Sequence, residues 1–272
     1  IPPRAINYNW EKNADDKDYP LKFDNSRKKY LLFLLSRSSA EIRNGTRLPS
    51  ILDIGCGFGP LAYAFKAYME SSGVLRRGGG DLSKELLYSG IDIREDAINW
   101  LSNAYSSECN FHFHHHEASS NADYVGMYKP LHQNTALTFS ESNGSECIYS
   151  YAPKSAVDIQ WSGSLFTHLT KNAAQECLRY VSKNLCDNGI AVNTWQIVDP
   201  SSCLGLYSNV ADRLLPIDCG DYLTYSASNP LVCTAYKIDV IEQLYASAGL
   251  EITEILLGSW RGFDYDNGLT YQ

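Results

Sequence analysis

Asp53, Gly55, Gly57 and Gly59 follow one another at the end of the apolar, β-prone run Ile51 to Ile54, and Pro60 opens a helical stretch directly behind them. Glycine lets a backbone turn sharply and come close to a ligand. Proline suits a first helical position, where a missing N–H costs nothing. The orphan amides and positive dipole end of such a helix favour a polar or anionic group in the turn. A second acid, Asp92, stands near the end of the next β-prone run, Tyr88 to Ile93. Strand, glycine turn, helix and downstream acid together have the chemistry of a nucleotide-cofactor cradle.

Two cofactor types use such a cradle. The dinucleotide fingerprint is G-x-G-x-x-G, with an acid about 20 residues further on. Here Pro60 occupies the third glycine position, and Asp92 lies further away, beyond an inserted stretch that holds Arg76, Arg77, Gly78, Gly79 and Gly80. An acid, one apolar residue and G-x-G-x-G, read at Asp53, Ile54, Gly55, Gly57 and Gly59, instead resembles motif I of the class I S-adenosylmethionine-dependent methyltransferases. The resemblance implies that Asp53 stands near the ammonium of the cofactor, that Gly55, Cys56, Gly57 and Gly59 wrap its amino-acid end, and that Asp92 and Ile93 meet its ribose. Glu117 and Ala118, at the end of the following strand, take the family position beside the adenine. Trp161 and Ser162 take the position close to the sulfonium.

Further likeness runs through Asn110 to Glu117, Trp161 to Leu169, Gly258 to Gly262 and the terminal Tyr271-Gln272. In this order the segments resemble a bacterial subgroup, found alongside glycosyltransferases, that is thought to methylate glycans or related hydroxylated compounds. The likeness spans Leu48 to Gln272. It implies a methyl acceptor that is a glycan or small hydroxylated metabolite. His168, in a Phe-Thr-His-Leu turn, suits a general base, because an imidazole titrates near neutrality; bracing the following helix by hydrogen bonds is its other reading. Trp260 and Arg261 offer an apolar plate and a charged fork to the acceptor. Four histidines crowd Phe111 to His116, but strand alternation puts His112, His114 and His116 on one face and His115 on the other, without a familiar ligand spacing. No metal is expected.

These residues need a scaffold that brings strand ends together. Strands are expected at 50–54, 88–93, 110–116, 156–161, 190–198 and 251–258, and helices at 60–70, 95–107, 170–185 and 238–248. Alternation of this kind implies an α/β, doubly wound, mostly parallel sheet, with ligands at the carboxyl edge. The resemblance implies seven strands in that sheet, a Rossmann-like methyltransferase fold. Asn25 to Ile42 reads as an amphipathic helix. Residues 1–49 are expected to form an N-terminal helical cap of the same domain, and 50–272 the core. Insertions fall at 71–87, 117–155 and 199–236, the last two being candidate acceptor lids.

With 272 residues and 44% hydrophobic content, the chain can bury one large core. A formal charge of −8 argues against a broad nucleic-acid surface, which needs clustered cations. Eight cysteines without a C-x-x-C pair fit reduced thiols and a cytoplasmic location. No apolar run reaches the roughly 20 residues of a membrane span. The expectation is therefore O-methylation of a glycan or small hydroxylated acceptor. A nicotinamide-dependent oxidoreductase and a non-catalytic binding subunit on the same fold are the alternatives.

Overall fold

In a computed structural model, the described residues are 28–72, 86–116, 156–198, 215, 217–224, 226 and 230–256. Contacts divide the chain into two units. The first comprises Ile1–Glu117, Ile148–Gly163 and Asn184–Val192, and the second Ala118–Cys147, Ser164–Lys183 and Asn193–Gln272.

The first unit carries helices α1 (Lys28–Arg37), α2 (Ala40–Arg43), α3 (Pro60–Ser72) and α4 (Glu95–Ala104). Its strands are β1 (Ile51–Ile54), β2 (Tyr88–Asp92), β3 (Phe111–His115), β4 (Val157–Ser162) and β5 (Leu185–Asn193), in the order β3-β2-β1-β4-β5. β1 pairs in parallel with β2 and β4, and β2 with β3. Every residue of β1 and β4 is buried. Continuous burial is what a parallel strand covered on both faces requires, and it explains runs that do not alternate with polar residues. On one face, Phe65 of α3 and Tyr105 after α4 join Tyr88, Phe111 and Phe113 in an aromatic cluster with centroid spacings between 5.0 and 6.3 Å.

A bidentate ion pair ties the approach to β1 to the neighbouring strand. Asp158 of β4 accepts Arg47 Nη1 at 2.7 Å and Nη2 at 2.8 Å, together with the Ser50 N–H at 2.9 Å. Tyr30 of α1 lies over Trp161 of β4, with ring centroids 5.1 Å apart. The helix expected at 25–42 is interrupted within its described part. Ser36 and Ser38 hydroxyls bond back to the carbonyls of Phe33 and Leu35, each at 2.6 Å, and this local competition ends α1 at Arg37.

The second unit contains α5 (Lys171–Asn184, whose last residue joins the first unit), β6 (Ile197–Val198), β7 (Ile217–Asp218), β8 (Tyr222–Thr224), β9 (Thr234–Lys237) and α6 (Ile238–Ser247). A 3-10 turn at Phe166–His168 precedes α5. β6-β9-β8-β7 form a second sheet, parallel at β6–β9 and antiparallel elsewhere. Trp195 organises this unit: it stacks on Phe166 at 4.3 Å, meets Tyr236 edge-on at 5.4 Å and donates to the Tyr245 hydroxyl at 3.1 Å.

The Rossmann-like parallel arrangement is present, but with five strands rather than seven among the described residues. The strand expected at 190–198 is two pieces. β5 begins at Leu185, and the chain leaves it where Thr194 Oγ1 accepts the Ser164 N–H at 2.6 Å, before Ile197 pairs with Tyr236 in the other sheet. Residues 251–256 form no strand; Ile255 and Leu256 are 45% and 42% exposed, and β-prone residues without a pairing partner do not hold an extended ladder. The loop expected at 199–236 contains β7, β8 and the start of β9, because Leu223 and Ala235 bury against Val198 and Leu215. Most of the insertions at 71–87 and 117–155 lies outside the described residues. None of the described helices is long and apolar enough to cross a membrane.

Candidate cofactor site

The turn after β1 is built from three glycines in the left-handed region, Gly55, Gly57 and Gly59 at φ +78°, +53° and +68°. Two of them serve different ends. A Cβ on Gly59 would sit 2.6 Å from Leu101 Cδ2 of α4, so this glycine lets α3 and α4 approach. A Cβ on Gly57 would stand in open space, which leaves that face of the turn accessible to a ligand. Pro60 then begins α3, as its missing N–H allows.

Four of the turn amides are already committed inside the protein. Gly55 and Cys56 N–H groups donate to the Ile91 carbonyl at 2.8 and 3.1 Å, and the Gly59 N–H donates to the Cys56 carbonyl at 2.9 Å. The Gly57 N–H donates to Asp92 Oδ2 at 2.7 Å, while Asp92 Oδ1 accepts the Arg94 N–H at 2.8 Å. A carboxylate has about four acceptor sites, so each oxygen of Asp92 keeps capacity for a ligand hydroxyl. Burial pushes the Asp92 carboxyl above its ordinary value, against the two backbone donors that favour its charge. Arg94 extends the anchor: its guanidinium lies 4.6 Å from the Phe58 ring centroid and pairs with Asp96 at 2.8 Å.

Beneath the turn, one register row runs Gly90–Asp53–Trp161 across β2, β1 and β4. Asp53 is 2% exposed, and its Oδ2 accepts the Tyr88 hydroxyl at 2.5 Å. Burial first, and then the Asp53 charge, hold the Tyr88 phenol well above its ordinary value, so it remains a donor. Burial, with the Asp92 and Asp53 charges behind it, also raises the Cys56 thiol, which is therefore protonated rather than nucleophilic at neutral pH. Trp161 and Ser162 are both buried, and the indole folds over Gly163, whose Cβ would meet it at 3.1 Å.

Ile93 follows Asp92, and its carbonyl accepts His115 Nε2 at 3.1 Å. On the opposite face of β3, burial lowers His114 to about 4, helped by His112, and just after the strand burial with His115 lowers His116 to about 4; both imidazoles are neutral at pH 7. His168 belongs to the second unit. Its Nδ1 donates to the Leu231 carbonyl at 3.0 Å, which fixes that proton and puts the basic lone pair of the neutral ring on Nε2. Glu117, Ala118, Trp260 and Arg261 lie outside the described residues.

The structure thus brings Asp53, Gly55, Cys56, Gly57, Gly59, Asp92 and Ile93 together at one strand edge. Tyr88 is the participant that motif reading passes over. Its signal in the sequence is a tyrosine two residues before a glycine in a β-prone run, which ordinarily reads as core.

No family model matches the chain. Among solved structures, it is similar to DesVI of Streptomyces venezuelae at 14% identity, over 92% of this chain and 92% of that one, with a TM-score of 0.44. It is also similar to an S-adenosylmethionine-dependent methyltransferase from Mesorhizobium loti, at 16% identity, 79% and 83% coverage and a TM-score of 0.40. The YcgJ protein of Bacillus subtilis matches at 18% identity over 57% of this chain, with a TM-score of 0.32, and the match spans 47% of YcgJ.

Proposed function

We propose that the protein is an S-adenosylmethionine-dependent methyltransferase whose acceptor is a hydroxyl of a glycan or small hydroxylated metabolite. One observation carries this reading: the glycine turn is closed by the Asp92 carboxylate on the Gly57 amide, with a buried acid, Asp53, nearby on β1. A pyrophosphate needs turn amides directed at it, whereas an acid at the end of the next strand suits the ribose of either cofactor. Here the Gly55, Cys56, Gly57 and Gly59 amides are spent internally, and two carboxylates stand at the turn. A ligand with a cationic tail and a ribose diol suits that donor and acceptor set.

Asp53 would receive the ammonium of the donor, Asp92 the ribose hydroxyls, and the open face of Gly57 the chain between them. When bound, the donor supplies a methyl carbon made electrophilic by its sulfonium and open to in-line displacement. The protein's part is to orient the reactants, which can contribute about 7–11 kcal/mol. His168, whose Nδ1 donates to the Leu231 carbonyl, would take the acceptor hydroxyl proton on Nε2.

Calorimetric titration with S-adenosylhomocysteine and with NADH tests the reading. Binding of the former alone is expected; binding of NADH alone would overturn it in favour of an oxidoreductase. Product formation from labelled S-adenosylmethionine with a panel of glycans and small polyols then separates an enzyme from a binding subunit and identifies the acceptor.

A further inference from the structure

Tyr88 is fully buried at the start of β2, with Phe65, Phe111 and Phe113 around its ring at centroid distances of 6.3, 5.4 and 5.8 Å. In such a cluster a phenylalanine would pack as well, and a buried hydroxyl costs free energy unless it has a partner. Its partner is the acid of the turn motif. The register sets Tyr88 opposite Ile51 and Gly90 opposite Asp53, so Tyr88 and Asp53 share one sheet face, offset by two residues along the strands. That offset is about 6.6 Å, and the phenol bridges it to donate to Asp53 Oδ2.

Gly90 makes this bridge possible. A Cβ there would stand 2.8 Å from the Phe113 ring and 3.0 Å from Cys56 Sγ, so the side-chain position between the two residues belongs to its neighbours. The flanking rings leave the Tyr88 hydroxyl directed along the strand toward the carboxylate. A carboxylate gripped at one oxygen by a rigid donor no longer rotates freely, and its second oxygen is held in a fixed direction.

We propose that Tyr88 is a positioning residue for cofactor binding: its hydroxyl holds the Asp53 carboxylate in the orientation that receives the amino-acid tail of the S-adenosyl donor. This rests on the reading of Asp53 given under Proposed function. Tyr88 acts through Asp53 and not on the ribose or adenine, which sets a specific pattern of loss.

Two ligands separate that pattern from a general weakening of the fold. S-adenosylhomocysteine carries the amino-acid tail, whereas 5′-methylthioadenosine keeps the adenine, ribose and sulfur without it. Tyr88→Phe is expected to raise the Kd for S-adenosylhomocysteine about tenfold, the scale of one lost charge-assisted hydrogen bond, and to leave the Kd for methylthioadenosine unchanged. Asp53→Asn is expected to show the same selectivity, and Tyr88→Phe added to it no further loss. Should the phenylalanine variant not fold, Tyr88→Met, a flexible apolar replacement, carries the same expectation. Equal losses for both ligands, or no loss for either, would overturn the proposal while the cofactor reading stands. Failure of the wild-type protein to bind either ligand overturns both.

Discussion

Gly59 faces Leu101 so closely that a Cβ would stand 2.6 Å from Leu101 Cδ2, whereas the neighbouring Gly57 faces open space. The two glycines of the turn should therefore fail differently. Gly59→Ala strains a left-handed residue and overpacks a fully buried leucine, which together cost about 2–4 kcal/mol. Gly57→Ala carries only the backbone strain, about 1–2 kcal/mol, but its methyl group projects into the open face proposed for the ligand. Urea unfolding should find Gly59→Ala the less stable of the two. Titration should find that Gly57→Ala remains folded and loses affinity for S-adenosylhomocysteine by at least about tenfold.

Asp92 is expected to link ligand affinity to pH. Burial raises its carboxyl in the folded protein, so its protonated form is favoured there; that contribution to stability is present at acid pH and lost as pH rises through the folded value. A ribose diol needs the ionised form as acceptor. Affinity for S-adenosylhomocysteine should accordingly decline on acidification before the ordinary aspartate range, about 3.9, is reached. Asp92→Asn should weaken binding about 10–100-fold at pH 7 and flatten the acid limb. An unchanged limb in the variant would assign the titration to another group.

The ion pair between Arg47 and Asp158 has the opposite sign. Burial raises the Asp158 carboxyl, but the Arg47 hydrogen bond, the Ser50 amide and the Arg47 charge outweigh it and leave the group lowered. Such a pair contributes stability above the unfolded aspartate value, and the contribution is lost as pH falls through the folded value. Arg47 is 49% exposed, which limits its worth, while the bidentate geometry favours it. Arg47→Ala should cost about 1–2 kcal/mol at pH 7. The difference from wild type in urea midpoint should shrink below about pH 3.9.

The legible part of this chain is the part fixed by local chemistry. Three glycines, a proline and an apolar run with an acid in it specify strand, turn and helix within a few residues, and β1, α3 and β2 fall where those residues predict. Asp92 was legible as the end of a strand, but its bond to the Gly57 amide was not. The break at Ser38 and the split between β5 and β6 were not, since each depends on where a side chain finds its partner. Trp195 ends one strand because Phe166 and Tyr236 are there to receive it. The bond from Tyr88 to Asp53 depends likewise on strand register, which hydrophobic pattern leaves open by steps of two.

His168 offers a test of catalysis apart from binding. Its Nδ1–H is held by the Leu231 carbonyl, so removing the imidazole affects both a hydrogen bond and a basic atom. His168→Gln separates them: the amide can still donate to Leu231 but has no group that takes a proton near neutral pH. If Nε2 accepts the hydroxyl proton, His168→Gln should lower turnover by about 10²–10⁴ with the S-adenosylhomocysteine Kd unchanged. The remaining activity should increase with acceptors of lower hydroxyl pKa, since these part with their proton unaided. A brace for α5 predicts another outcome: Gln would preserve turnover, while Ala would lower thermal stability.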